Sequence, residues 1–470
     1  MTLPQHPAHP GEGMPAVPRP ALLAQVLRTA PRRYRLPGQP DAGTQAGPAA
    51  AMALAIERAR QALAEARQPD AVTRQSFLDA LARLIREAMR TDEGDAAYQA
   101  LLLAGRVPQV QEYIDLQNHA EQDRRQLRAG ANAVAHPARR QHLGPGALRE
   151  ALERLHAQAD SAQWAALGDT AQAVQAMAPS AGDAALQRGL SRLLDGPALA
   201  RLQRSTALEE DPQVQAYQRL RDRQGPRPGT AEAAAYGDTA QQRGAAMEAL
   251  ATRALQALAH RLDRADGTGG AWRVVTSLRV PPSIPASAER AKSEWDAVLL
   301  RKAPGTAGQP PAWDVCLLLE AKASVDAVAS DFSRLRRGLR LLGHADAGTV
   351  YTFLCREGEV LLRGASLSAL DGPETDLPAT VLYCTDAPAP QTPHLLAAAS
   401  RMQLLGAPQS LAFASALAEG RQADVRDLEP VWQALLESPQ WEPVREQYPA
   451  LRGVRELMVH VDDLALAVGA

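Results

Sequence analysis

Between Trp272 and Thr385 the hydrophobic rhythm of the chain is that of strands. The runs WRVVTSLRV, EWDAVLL and WDVCLLLEAK are rich in Val, Leu and Trp and bounded by Pro and Gly, which predicts three successive strands. A helix is predicted over 325–342, where Phe332, Leu335, Leu339 and Leu342 recur at three- and four-residue spacing. Further extended runs follow at GTVYTFLC, VLLRG and TVLYC. Upstream, Asp238 with Gln241 at the third helical position reads as a capping box for a helix through AAMEALATRALQALAHRL. Helix, three strands, helix and strand, in that order, predict an α/β core over about 235–390, a mixed sheet flanked by helices.

The rest of the chain repeats a helical period. In AVTRQSFLDALARLIREAMR, Phe77, Leu78, Leu81, Leu84 and Ile85 form one apolar stripe. Comparable segments are AAYQALLLAG, VQEYIDLQNHAEQDRRQL, GALREALERLHAQA and AALQRGLSRLLDG, punctuated at Gly105, Pro145 and Pro197. These predict a large all-α domain over 51–224, with no fixed repeat of the solenoid kind. RQGPRPGTAE, at 223–232, reads as a linker, and 391–470 as a helical C-terminal region that includes DLEPVWQALLES. Residues 1–50 are rich in Pro, Gly and Ala and read as a mobile arm, with a short helix at Ala21–Leu27 and a basic cluster at Arg32, Arg33 and Arg35.

Composition narrows the class. A chain of 470 residues is long enough for two or three cores, and 46% hydrophobic residues with a formal charge of −2 describe a globular protein whose overall charge signals neither nucleic acid nor membrane. A local basic face, rather than the total, decides nucleic-acid binding. The three cysteines, Cys316, Cys355 and Cys384, are too far apart for a paired zinc motif and read as buried thiols of a reducing compartment. MTLPQHPAHPGEG lacks the cationic start and apolar core of a signal peptide, and no run approaches the ~18 apolar residues of a membrane span. The expected location is cytoplasmic, with no membrane partner. His136 and His142 lie six apart around a proline-led HPARRQH, a spacing that suits a surface loop better than a metal pair.

Candidate chemistry gathers at the strands. Alternation places Asp296 on one face with Val298 and Leu300, opposite Trp295, Ala297 and Leu299, and it puts Glu320 and Lys322 together on another strand face. The connection RKAPGTAGQPPA permits a hairpin, so two carboxylates and an ammonium can converge at one sheet end. A hard cation such as Mg²⁺ takes one or two carboxylates plus water and substrate phosphate. A nearby lysine stabilises charge developing in the transition state.

Asp296 followed by Glu320-Ala321-Lys322 at the end of an apolar strand resembles the PD-(D/E)XK, restriction-endonuclease-like, nuclease superfamily, over residues 235–390 only. The resemblance implies that Asp296 and Glu320 are metal ligands, that Lys322 is the catalytic lysine, and that Glu248 on the preceding helix is a third ligand. In helical projection Glu248 falls within the stripe of Ala251, Leu255, Leu258 and Leu262, where a carboxylate needs a partner. Two departures stand out: Glu294-Trp295 rather than proline precedes Asp296, and the insert before Glu320 is long, with Asp314 as a competing carboxylate. Arg334, Arg336, Arg337 and Arg340 on the next helix either contact phosphates flanking the scissile one or form a solvated face. Ser324 and Asp326 are candidate supports of the site.

The implied activity is a Mg²⁺- or Mn²⁺-dependent phosphodiesterase acting on nucleic acid, DNA in preference to RNA, in restriction, repair or defence. The alternative is a catalytically inactive nuclease fold serving as a nucleic-acid or protein binding module. An aldolase-type barrel is disfavoured because the first 230 residues offer almost no strand runs. No Gly-rich phosphate loop, nucleophile elbow or zinc signature supports another chemistry. Cutting both strands of a duplex needs two sites, which suits a homodimer, and the helical domain is a candidate surface for a protein partner.

Overall fold

The computed structural model describes residues 20–36, 47–141, 143–181, 183–226, 229–305, 310–372, 375–390 and 394–469. Seven strands form one sheet: β1 (Trp272–Arg279), β2 (Glu294–Lys302), β3 (Ala312–Ala321), β4 (Val350–Cys355), β5 (Gly358–Arg363), β6 (Val381–Thr385) and β7 (Met458–His460). Each strand expected from the sequence is present to within two residues at its ends, and β7 is an addition. β1, β2 and β3 form an antiparallel meander, and β6 then β7 continue from β3 in parallel.

The sheet is mixed, as expected, and over five of its strands it also closes on itself. β4 and β5 form a hairpin that pairs with β1 through Arg279↔Leu354 and with the start of β3 through Ala312↔Leu361 and Trp313↔Leu362. Strands β1, β2, β3, β5 and β4 therefore close on one another as a five-stranded barrel, while β6 and β7 fork away along the far end of β3. Curvature sufficient for closure comes from irregularities in the meander. A register shift lies between Leu299 and Leu300, and Ser277 adopts a left-handed φ of 50° where the β1–β2 ladder skips from Thr276↔Ala297 to Leu278↔Trp295. Irregularities of this bulge type bend a strand and raise its twist.

Both faces of the sheet are covered, which is why these strands read as near-continuous apolar runs. On one face Val275, Val298, Leu300, Leu318 and Tyr383 pack with Val328, Leu335, Leu339 and Leu342 of the helix Val325–Gly343 and with Leu451, Val454 and Leu457 of Gln447–Leu457. On the other, Ala297, Leu299, Leu317, Leu319, Leu382 and Val459 pack with Met247, Ala251, Leu255, Leu258 and Leu262 of the long helix Ala231–Asp266. Strict alternation fails at Trp295, which packs with Val298 and Leu300 rather than Ala297, beside the ladder break.

Several expectations are corrected. Residues 20–36 are not an arm: the helix Ala21–Thr29 buries Leu23, Val26 and Leu27 in the second core, Tyr34 is 2% exposed in the first, and Arg33 is salt-bridged to Asp463. Apolar residues at helical spacing outweigh the Pro-rich composition around them. The long helix begins at Ala231, capped by the Thr230 hydroxyl on the Ala233 amide, so Asp238 lies inside it and caps nothing. AEAAAYGD is alanine-rich enough to continue the helix through Gly237.

Contacts divide the chain differently from composition. The sheet-bearing unit comprises Met1–Leu81, Gly229–Gln403 and Trp432–Ala470, and the second comprises Ala82–Pro228 and Leu404–Val431. The boundaries expected at 50 and 391 do not fall there. Within the second unit, Pro108–Ala135, Ala147–Asp160, Trp164–Ala181, Ala184–Asp195 and Pro197–Leu208 enclose an apolar core around Leu127, Leu155, Leu167, Leu190 and Leu202. Buried Asp123 accepts two hydrogen bonds from Arg201 there, at 2.8 and 2.5 Å. Among the described residues no helix is long and apolar enough to cross a membrane.

Candidate active site at the end of β3

The last residues of β3 carry the site. The ladder between β2 and β3 runs to Ala297↔Leu319, so Asp296 and Glu320 occupy the next opposed position, and the Asp296 carboxylate accepts a hydrogen bond from the Ala321 amide at 2.8 Å. Glu320 is wholly buried, and its Oε1 has no hydrogen-bond partner among the described residues. The Lys322 ammonium lies 3.6 Å from Glu320 Oε2 and 3.7 Å from Asp331 Oδ2. Its backbone amide donates to Cys384 O at 2.9 Å, which fastens the end of β3 to β6. The three residues expected to meet, Asp296, Glu320 and Lys322, are thus brought together.

Three further residues complete the cluster. Lys292, just before β2, is 4% exposed, and its ammonium lies 2.6 Å from Glu320 Oε2 and 5.7 Å from the Trp295 ring centre. Its backbone amide donates to Arg334 O at 3.2 Å. The helix Val325–Gly343 can approach so closely because residue 338 is glycine: a Cβ there would lie 2.7 Å from Lys292 Cβ and 2.9 Å from its carbonyl. Asp331, on the same helix, accepts a hydrogen bond from the Tyr383 hydroxyl at 3.2 Å. Sequence reasoning missed Lys292, Asp331 and Tyr383, because they come from a loop, a helix and a strand remote from the acid-X-lysine tripeptide. One usable signal existed: Asp331 occurs one helical turn before Leu335, on the side of a helix otherwise apolar.

Charge and burial act against each other here. Burial, then the nearby Asp296 carboxylate, push Glu320 up to about 8, while Lys292 and Lys322 pull it back. Burial disfavours the Lys322 charge, yet Glu320, Asp331 and Asp296 hold its pKa above the ordinary value. The Tyr383 phenol is raised by burial and by Asp331. Glu248 is also raised, by partial burial and by Asp296, with Arg356 and Lys322 opposing.

Glu248 needs a correction. It is exposed rather than set within the buried stripe, which runs through Met247, Ala251, Ala254, Leu255, Leu258 and Leu262. Among the described residues no group of three or more His, Cys, Asp or Glu side chains that could hold a metal ion is found. Glu248 feels the field of Asp296, which Arg356 in the β4–β5 turn opposes. That turn is fixed to β1 at its irregular point, with the Arg356 amide donating to Thr276 O and the Glu357 carboxylate accepting from the Thr276 amide and hydroxyl.

Asp314, the competing carboxylate, is at the opposite end of β3, buried against Arg363. Ser324 caps the helix Val325–Gly343 on the Ala327 amide, and Asp326 is exposed in its first turn. That helix reaches the site through Asp331; of its arginines, Arg334, Arg336 and Arg340 are exposed, and Arg337 donates to Arg290 O at 2.8 Å. His136 is exposed, its ring accepting from the Ala138 amide, whereas His142 lies outside the described residues. Of the three cysteines Cys384 is buried, whereas Cys316 and Cys355 are half-buried.

Comparison of the chain with protein-family models, with curated proteins and with solved structures finds no match.

Proposed function

We propose that this site is that of a metal-dependent nuclease with a PD-(D/E)XK arrangement, hydrolysing phosphodiester bonds in DNA in preference to RNA. The observation that carries the reading is the meeting of Asp296, Glu320 and Lys322 at one end of two adjacent strands. The order helix, β1, β2, β3, helix, with β6 parallel to β3, supports it; the closure by β4 and β5 is an elaboration of that order.

The donor set suits Mg²⁺ or Mn²⁺. Such an ion is held through one or two carboxylates with water and phosphate completing its shell, and Glu320 Oε1 is a buried oxygen with no hydrogen-bond partner among the described residues. Asp296 and Glu320 are the residues that would hold it. When bound, the ion supplies an acidified water and neutralises the scissile phosphate. Lys322, positioned between Glu320 and Asp331, offers an ammonium to charge developing on the phosphate. Tyr383 fixes Asp331 and so fixes Lys322.

A second reading, a catalytically silent nuclease fold used for binding, has one observation in its favour. Lys292 lies 2.6 Å from Glu320 and already compensates the charge a metal would meet.

Purified protein and the Asp296→Ala, Glu320→Ala and Lys322→Ala variants, incubated with duplex DNA, single-stranded DNA and RNA under Mg²⁺, Mn²⁺ or chelator, separate the two. Metal-dependent cleavage of DNA, lost about a hundredfold or more in each variant, upholds the nuclease. Nucleic-acid binding without cleavage in any metal upholds the silent fold.

A further inference from the structure

Away from this site, three arginines converge on one concavity. Arg28 ends the helix Ala21–Thr29, and Arg32 and Arg35 follow in the turn after it. With Ala24, Leu27, Asp376, Pro378 and Ala379 they line a cavity of about 400 Å³. Arg32 is half-buried; one of its terminal nitrogens donates to Leu27 O at 3.1 Å, and the other, Nη1, is buried without a hydrogen-bond partner among the described residues. A guanidinium nitrogen buried and unpaired is costly, and here it lies beside two more arginines. Three guanidinium groups face one carboxylate, Asp376, so the lining is net positive. Burial and the neighbouring Arg35 both disfavour the Arg32 charge, the mark of a cationic pocket short of counter-charge.

We propose that this pocket binds a phosphate dianion carried by a small molecule of nucleotide size. Guanidinium forks match phosphate oxygens bidentately, and a concavity of this volume is in the range that holds a small ligand. Leu27, Ala24, Pro378 and Ala379 give the wall an apolar side against which the rest of the ligand packs. The neighbouring arginine, Arg33, is committed elsewhere, to Asp463, and takes no part. The site is independent of the nuclease reading and stands or falls without it.

The test is calorimetric titration of the full chain, at constant ionic strength, with inorganic phosphate, a 5′-mononucleotide, the same nucleoside without phosphate, and a 5′-phosphorylated oligonucleotide. Saturable binding of the mononucleotide, with none of the nucleoside, is expected. Arg28→Ala/Arg35→Ala, both exposed positions, should weaken it roughly tenfold or more while leaving the melting curve unchanged. Arg32→Ala removes the bond to Leu27 and risks the fold, so Arg32→Lys serves instead, with a similar loss expected because the fork is gone. Phosphate binding as tightly as the mononucleotide would support the dianion site and identify free phosphate as its source. No binding, nucleoside binding as tight as nucleotide, binding unaltered in both variants, or binding of the oligonucleotide alone would overturn the proposal.

Discussion

Strand β3 buries a carboxylate at each end, and the two ends behave differently. At its start, Asp314 is 2% exposed and its two oxygens are matched by the fork of Arg363. At its finish, Glu320 is 0% exposed and faces two lysines and another acid, with one oxygen unpartnered among the described residues. Asp123 in the helical unit repeats the first pattern with Arg201. A planar guanidinium gives each carboxylate oxygen a donor, whereas the point-charge ammonium groups at Glu320 compensate the charge but leave one oxygen without a donor among the described residues. Burial alone therefore does not mark a functional acid, whereas burial with incomplete satisfaction does.

Breaking the closed end should cost most. Arg363→Ala leaves Asp314 buried and unpaired and should lower stability by about 3–5 kcal/mol, read by urea denaturation, while Lys322→Ala should cost less than about 1 kcal/mol because Lys322 is partly exposed and Lys292 still pairs Glu320. Equal losses would erase the contrast. The next effect is in pH. Glu320 binds a proton in the fold up to about 8 but gives it up near 4.5 when unfolded, so the native state holds more protons across that window and stability falls as pH rises through it. Glu320→Gln should flatten this fall by more than about 1.4 kcal/mol; melting curves at several pH values that superimpose for both proteins would refute it. Gly338→Ala forces a methyl group against Lys292 and should destabilise by about 1–3 kcal/mol, with metal-dependent activity falling along with it if Lys292 orients Glu320. The smallest change is expected of Asp331→Asn. It should alter stability by under about 1 kcal/mol, yet lower the Lys322 pKa and shift the alkaline limb of the pH–rate profile downward, a shift that a purely structural Asp331 would not produce.

Local pattern was enough for the elements. Apolar runs bounded by Gly and Pro located β1 to β6, and three- and four-residue spacing located the helices, because each element's periodicity records which sides it buries. The convergence of Asp296, Glu320 and Lys322 was legible as well, since Glu320 and Lys322 lie two apart at the end of one strand run and Asp296 lies near the start of the strand paired with it. Lys292, Tyr383 and Gly338 were not legible, and Asp331 only as an acid one helical turn from Leu335 on an otherwise apolar side of its helix. Their roles depend on a loop, a helix and a parallel strand arriving at the same place, and nothing within a short window encodes that arrival. The same holds for the closure of the barrel and for Tyr34, drawn into the core from a Pro-rich stretch. Sequence by itself determined which residues could form a strand, a helix or a charge cluster, because those follow from periodicity and side-chain chemistry. Only the tertiary structure decided which charges meet, which are satisfied and which remain open, because pairing and desolvation are properties of neighbours distant along the chain.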